Sequence, residues 1–267
     1  MIDFHTHIFP DAVAPKALAS LQAGSLRVEG RAVEPHTDGT MTSLLASMAR
    51  NGVDKSIVLP IATKESQTPS INRFASGVQS QQLISFYSLH PAQEDWEAVL
   101  EEIASAGGKG IKLHPEFQFA HVDSPEMLRI LRKAAALQLI VVLHAGKDIG
   151  MPPPVHCTPM QLARALDAVP DACVVAAHMG GWRMWDQVEE CLVGRQMYFD
   201  TAFVADYLPR EQYLRIIRNH GAERILFGSD SPWEEPAHTL AGLEALGLTA
   251  EELAKITHDN AAVLLGL

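Results

Sequence analysis

Residues 110–144 read GIKLHPEFQFAHVDSPEMLRILRKAAALQLIVVLH. The stretch opens on a short apolar run, Gly110 to His114, and closes on a second, Leu139 to His144. Between them Ser124-Pro125-Glu126 places a cap residue before a proline, the start signal of a helix that the amphipathic pattern carries to Leu137. Short runs rich in Val, Ile and Leu read as buried strands. The stretch is therefore strand, helix, strand, and each strand ends on a histidine.

The same unit recurs along the chain. Strands are expected at Ile2 to His5, Ser56 to Ile61, Leu83 to Leu89, Gly110 to His114, Leu139 to His144, Ala172 to His178, Met197 to Asp200 and Ile225 to Gly228. Amphipathic segments lie between them at Thr42 to Asn51, Ser70 to Ser80, Glu94 to Ser105, Pro125 to Leu137, Pro159 to Ala168, Trp182 to Val193 and Glu211 to Asn219. Eightfold alternation predicts an α/β fold of the (β/α)8 TIM barrel type. A doubly wound open sheet usually carries a Gly-rich turn after its first strand, whereas here that turn is His5-Thr-His-Ile-Phe-Pro10.

The first crossover is unusually long, with no convincing helix from Ile8 to Gly39. It is expected as a long loop covering the C-terminal face of the barrel. Two short helical patterns, Ala250 to Thr257 and Asn260 to Leu265, complete the last unit. With no linker or repeat, residues 1–267 are expected to form a single domain.

Composition narrows the function classes. A net charge of −11 without a basic cluster argues against nucleic acid as a partner, including a nuclease role. No apolar stretch approaches membrane-spanning length, and Met-Ile-Asp, without a basic then apolar region, is not expected to open a signal peptide. Cys157, Cys173 and Cys191 are an odd, widely spaced set that fits reduced thiols in the cytoplasm.

The polar residues at strand ends carry the chemistry. Strand one ends in His5 and His7, two apart and so on the same side of an extended chain. Twelve histidines in 267 residues would supply roughly half such a pair by chance, so the pair gains weight only from partners. Those partners are Lys112 and His114 on strand four, His144 on five, His178 on six and Asp230 after eight. A barrel brings all of them to its C-terminal face, and closure puts strand eight beside strand one. His5, His7, His144 and Asp230 are expected to bind a divalent metal, with His178 either a further ligand or a holder of water.

Lys112 cannot ligate a cation as an ammonium, so it is expected to be neutral or carbamylated; alternatively it pairs with Asp230 or holds a substrate anion. His114, Gln118, Trp182 and Trp233 are candidate substrate contacts, with His156, Arg27 and Arg31 weaker ones. His90 reads as structural.

Taken together, these segments resemble the amidohydrolase superfamily. The matching stretches are Asp3-Phe-His-Thr-His7, Gly110-Ile-Lys-Leu-His-Pro115, Leu143-His-Ala-Gly146, Ala177-His-Met-Gly-Gly181, Phe227-Gly-Ser-Asp-Ser-Pro-Trp233 and Asn260-Ala-Ala-Val-Leu-Leu-Gly266. Their wording is most similar to the branch that includes aminocarboxymuconate-semialdehyde decarboxylase. The resemblance implies that His5, His7 and His144 ligate metal and that Asp230 binds metal or exchanges a proton with the attacking water. It also implies that His178 completes a second metal site or polarises water or substrate. Binuclear members carry a carbamylated lysine at the position of Lys112, whereas the decarboxylase-like branch uses one zinc and no such lysine; this chain mixes the two patterns.

The expected activity is metal-dependent hydrolysis of a small amide, lactone or related carbonyl substrate, with Asp230 and His178 catalytic and zinc, as one or two ions, the cofactor. Manganese or iron would suit the same ligands. The alternatives are a nonoxidative decarboxylase or hydratase (a lyase) acting on a small unsaturated carboxylic acid, and a noncatalytic barrel stapled by its metal. A homodimer is left open.

Overall fold

A computed structural model describes residues 1–267, and in it the eight apolar runs form eight parallel strands. They are β1 (Ile2–Thr6), β2 (Lys55–Val58), β3 (in two pieces, Leu83–Ser85 and Tyr87–Ser88), β4 (Gly110–Leu113), β5 (Ile140–Leu143), β6 (Val174–Ala176), β7 (Tyr198–Asp200) and β8 (Ile225–Leu226). Each pairs with the next in chain order: Ile2 opposite Lys55, Ile111 opposite Val141, Val141 opposite Val174 and Phe199 opposite Ile225. β3 changes partner within its length, Ser85 pairing with Val58 and Tyr87 with Ile111. The ring closes through backbone bonds from Phe4 N to Phe227 O (2.7 Å), Asp230 N to His5 O (2.8 Å) and His7 N to Ser231 O (2.6 Å). The chain is a (β/α)8 barrel.

Period-two alternation sorts the strand residues between two apolar layers. Phe4, Ile57, Phe86, Val142, Val175 and Leu226 come from six different strands into one buried cluster, which places them in the barrel lumen. Their neighbours Ile111, Leu113, Val141, Leu143, Val174 and Ala176 pack outward with helical residues such as Ile130 and Leu162.

The helices are α1 (Ala14–Glu29), α2 (Met41–Asn51), α3 (Thr68–Gly77), α4 (Trp96–Ser105), α5 (Pro115–Gln118), α6 (Pro125–Ala136), α7 (Pro159–Ala168), α8 (Trp185–Cys191), α9 (Arg210–His220), α10 (Pro236–Glu244), α11 (Ala250–Ala254) and α12 (Asn260–Leu265). Ser124 caps α6 by accepting from Met127 N, and Thr158 caps α7 with Gln161 reaching back. A π turn, Lys255–Asp259, joins α11 to α12, so the two tail patterns run as one helix.

Three expectations change. The segment after β1 lines the barrel mouth, but it is not an irregular loop: α1 occupies 16 residues of it. Its Ala, Ser and Gly positions blur the apolar stripe, and Gly24 in mid-helix reads as a breaker. α10 is likewise unexpected, because Ala237, Ala241 and Gly242 leave little contrast between its faces. α8 begins at Trp185 and not Trp182, since left-handed residues at His178, Met179, Gly180 and Arg183 turn the chain sharply first.

Candidate metal centre

β1 and β5 deliver His5, His7 and His144 to one end of the lumen, and the turn after β6 delivers His178. Each of the four rings is anchored at one nitrogen by an acceptor. His5 Nδ1 donates to Asp200 Oδ2 (2.8 Å), His7 Nδ1 to Leu59 O (2.8 Å), His178 Nδ1 to Ala202 O (2.9 Å) and His144 Nε2 to Lys147 O (3.2 Å). Carbonyl and carboxylate oxygens only accept, so these bonds place the ring proton on the outward nitrogen.

The inward nitrogens are then lone pairs that face one another, and of the four only His5 Nε2 meets a donor, the Lys112 amine at 3.3 Å. His5 Nε2 lies 3.1 Å from His7 Nε2, and His144 Nδ1 lies 3.1 Å from His178 Nε2. Asp230 Oδ1 stands 3.4 Å from His5 Nε2 and 3.2 Å from His7 Nε2. Buried acceptors aimed at one another repel unless a cation lies among them. Separations near 3.3 Å are what ligands of one ion adopt when each bond is about 2.1 Å. The donor set of imidazole nitrogens and one carboxylate therefore fits a divalent metal.

A second group, His114, His144 and Asp148, also gathers three possible ligand atoms. It balances itself instead. His144 Nε2 carries the proton given to Lys147 O, and His114 Nδ1 accepts from Phe117 N, so His114 Nε2 carries its proton toward Asp148 Oδ2 at 3.5 Å. Donors meet acceptors there, and no cation is called for.

Electrostatics agree with this division. Burial, then the Lys112 charge, holds His5 neutral well below the usual imidazole range, and burial with the neighbouring rings does the same for His144. Burial alone would raise Asp230, but the imidazoles of His7, His5 and His178 around it outweigh burial and hold it below its ordinary value, so it is ionised. Burial brings Lys112 down to about 8, and its Nζ lies 3.3 Å from His5 Nε2.

Other expected site residues fall into two groups. His114 lines the cavity, stacked between Phe117 and His144 with ring centroids 3.9 and 4.1 Å away. Trp182, Trp233 and Arg27 also line it. Gln118 does not: its Oε1 accepts from His114 N and its Nε2 donates to Ala62 O and Leu89 O, so it ties loops together and has no free atom for substrate. His156 bonds Glu116, Arg31 bonds the Tyr207 hydroxyl, and His90 accepts from Ala92 N.

Sequence reading passed over Asp200, although it ends a strand as His144 does. Asp3 and Asp148 were also missed. Asp3 accepts from Ser229 Oγ and N (2.6 and 2.9 Å), and burial raises it to about 7. Asp148 lies in a loop without pattern, where only folding brings it to the histidines.

The amidohydrolase family model matches residues 2–267. The chain belongs to the amidohydrolase family, and it is an enzyme of that type. Enzymes of this family act on small-molecule substrates and generally depend on a divalent metal. Among curated proteins none matches the chain. Among solved structures, an uncharacterised TIM-barrel protein from Bordetella bronchiseptica is 18% identical, with a TM-score of 0.77 over 100% of this chain and 99% of that one. The 5-carboxyvanillate decarboxylase of Sphingomonas paucimobilis is 16% identical, with a TM-score of 0.69 over 100% and 99%. A putative 2-pyrone-4,6-dicarboxylic acid hydrolase from Pseudomonas putida is 19% identical, with a TM-score of 0.69 over 99% and 97%. At these identities the likeness establishes the shared barrel. No helix of the protein is long and apolar enough to cross a membrane.

Proposed function

We propose that the protein is a metal-dependent hydrolase of a small amide, lactone or related carbonyl compound. The observation that carries this reading is the gathering of His5, His7 and the ionised Asp230 at one point, with a second pair of anchored imidazoles, His144 and His178, facing each other at the same end of the barrel. His5, His7, His144, His178 and Asp230 would hold the ion, and nitrogen-rich ligation with one carboxylate favours zinc. Bound zinc supplies a Lewis acid that lowers the pKa of water to about 7 and polarises a carbonyl.

Asp230 takes the proton of the attacking water and returns it to the leaving group. His178, its Nδ1 held by Ala202 O, would stabilise the developing oxyanion or hold the water. Trp182, Trp233 and the face of the His114 ring would wall the substrate. Lys112, if carbamylated, would give a carboxylate to a second ion; as an amine it donates to oxygen developing negative charge.

The test is turnover of a panel of aryl esters, lactones and anilides by zinc-loaded protein. Chelation abolishes turnover and zinc restores it, while Asp230→Asn lowers kcat by a factor of about 100 to 10,000. Full activity in metal-free protein would sink the proposal.

A second reading, nonoxidative decarboxylation of an unsaturated acid, is favoured by Lys112, a buried cation within reach of the cluster that would hold a substrate carboxylate. Release of carbon dioxide with no hydrolysis product in the same assays would select it.

A further inference from the structure

The cavity above the histidine cluster is larger than a small carbonyl compound needs, at about 800 Å³. Its wall is largely apolar, including Phe9, Leu21, Ile71, Phe74, Ile149 and Met151. Three lining side chains stand apart because no group of the protein accepts from them: Trp182, which is buried, and Lys147 and Arg27, which are exposed at the mouth. Trp182 is 3% exposed, and its Nε1 has no hydrogen-bond partner. The Lys147 ammonium and the Arg27 guanidinium line the same cavity, and neither makes an ion pair or a side-chain hydrogen bond.

The fold brings these three donors to one side of the mouth. Lys147 N donates to Trp182 O at 3.0 Å, which places the two residues side by side. α1 meets the Lys147 loop where Gly24 packs on Gly150, backbone against backbone, a Cβ on Gly24 coming 3.5 Å from Gly150 Cα and O. Arg27 follows Gly24 by three residues, on the same helix face. Two carboxylates also line the cavity, and neither offsets these donors: Asp230 belongs to the histidine cluster, and Asp148 faces His114 and His144 while accepting from Gly150 N.

A buried indole N–H without an acceptor costs stability unless a ligand supplies one, and two unpaired cations beside it define the ligand's charge. We propose that Trp182, Lys147 and Arg27 form a second recognition point that takes an oxyanion on an extended apolar substrate whose reacting carbonyl lies at the histidine cluster. The substrate class is thus an amphiphilic anion with its charged group separated from the scissile bond by an apolar body. This rests on the reading of the cluster as the reacting end.

The test is calorimetric binding to zinc-loaded protein, with linear α,ω-dicarboxylates from adipate to sebacate, each set against the ω-hydroxy acid of the same length. Both probes share one carboxylate and the apolar chain, so their ratio isolates the second charge. The dicarboxylate is expected to bind about tenfold more tightly at the matching length, as one charge-assisted contact supplies. That preference falls to about twofold or less in Arg27→Gln/Lys147→Gln, and Trp182→Phe lowers it on its own. A ratio near one at every length in the wild type, or an undiminished ratio in the double variant, overturns the proposal. Zinc stoichiometry read on the same samples separates this outcome from failure of the metal reading, which would show as protein that takes up no zinc.

Discussion

Asp200 divides its carboxylate between two parts of the barrel end. Oδ2 takes the His5 Nδ1 proton, while Oδ1 accepts from the backbone N–H of His178 (2.9 Å) and Ala202 (3.1 Å). It thereby aims His5 and holds the turn that carries His178. Asp200→Asn is expected to weaken zinc binding by about 10- to 100-fold, measured by competition with a chromogenic chelator, because partners that orient metal-bound histidines contribute on that scale. Unchanged affinity would remove Asp200 from this role.

His220 sits far from the cluster and titrates in the opposite sense to an ion-paired histidine. It is buried, accepts from Gly194 N and donates to Met197 O, and burial lowers its pKa from 6.5 to about 4. Above pH 6.5 both folded and unfolded chains are neutral there; below it the unfolded chain takes a proton that the folded chain refuses. Stability is therefore lost as pH falls from 6.5 toward 4, by on the order of 3 kcal/mol. Urea unfolding across that window should show a shallower decline for His220→Gln, and an identical slope would refute the assignment. Residues of this kind divide by legibility. His144 and His178 stand out because a polar group interrupts an apolar strand, and Asp200 offers the same signal; Asp148 offers none.

Among the elements, the β5–α7 loop shows how tightly the mouth is built. Gly146 adopts φ 81°, and a Cβ there would lie 2.3 Å from Trp182 N, across the parallel bridge that joins the two residues. Neither backbone can yield without breaking that bridge. Gly146→Ala is expected to cost about 2 kcal/mol or more in urea unfolding. Since the same bridge seats Trp182 and Lys147, the variant should also lose the preference for dicarboxylates. Strands and most helices were legible because alternation, caps and prolines are local signals. α1 was not, because its small residues suit close packing on the Gly150 loop, a contact that exists only after folding.

At the scale of the whole molecule, a metal held as proposed would join strands from opposite sides of the ring. His5 and His7 come from β1, His144 from β5 and Asp230 from beyond β8, so an ion held by them binds the folded state alone. Ligand at 1,000 times its Kd contributes about 4 kcal/mol, which corresponds to a fall in Tm of roughly 10 °C on chelation. Calorimetry with and without chelator measures it, and an unshifted Tm would show that the folded protein gains nothing from the ion.

The order of the strands and of most helices, the barrel and the candidate histidines follow from local pattern, since periodicity and strand-end chemistry are written along the chain. Which nitrogen of each ring faces inward depended on acceptors from Leu59, Lys147, Asp200 and Ala202, and so did the distinction between a cluster that calls for a cation and one that balances itself. The alignment of Trp182, Lys147 and Arg27 depended equally on a contact between Gly24 and Gly150. Those decisions belong to tertiary structure, because a hydrogen-bond partner distant in sequence leaves no periodic trace.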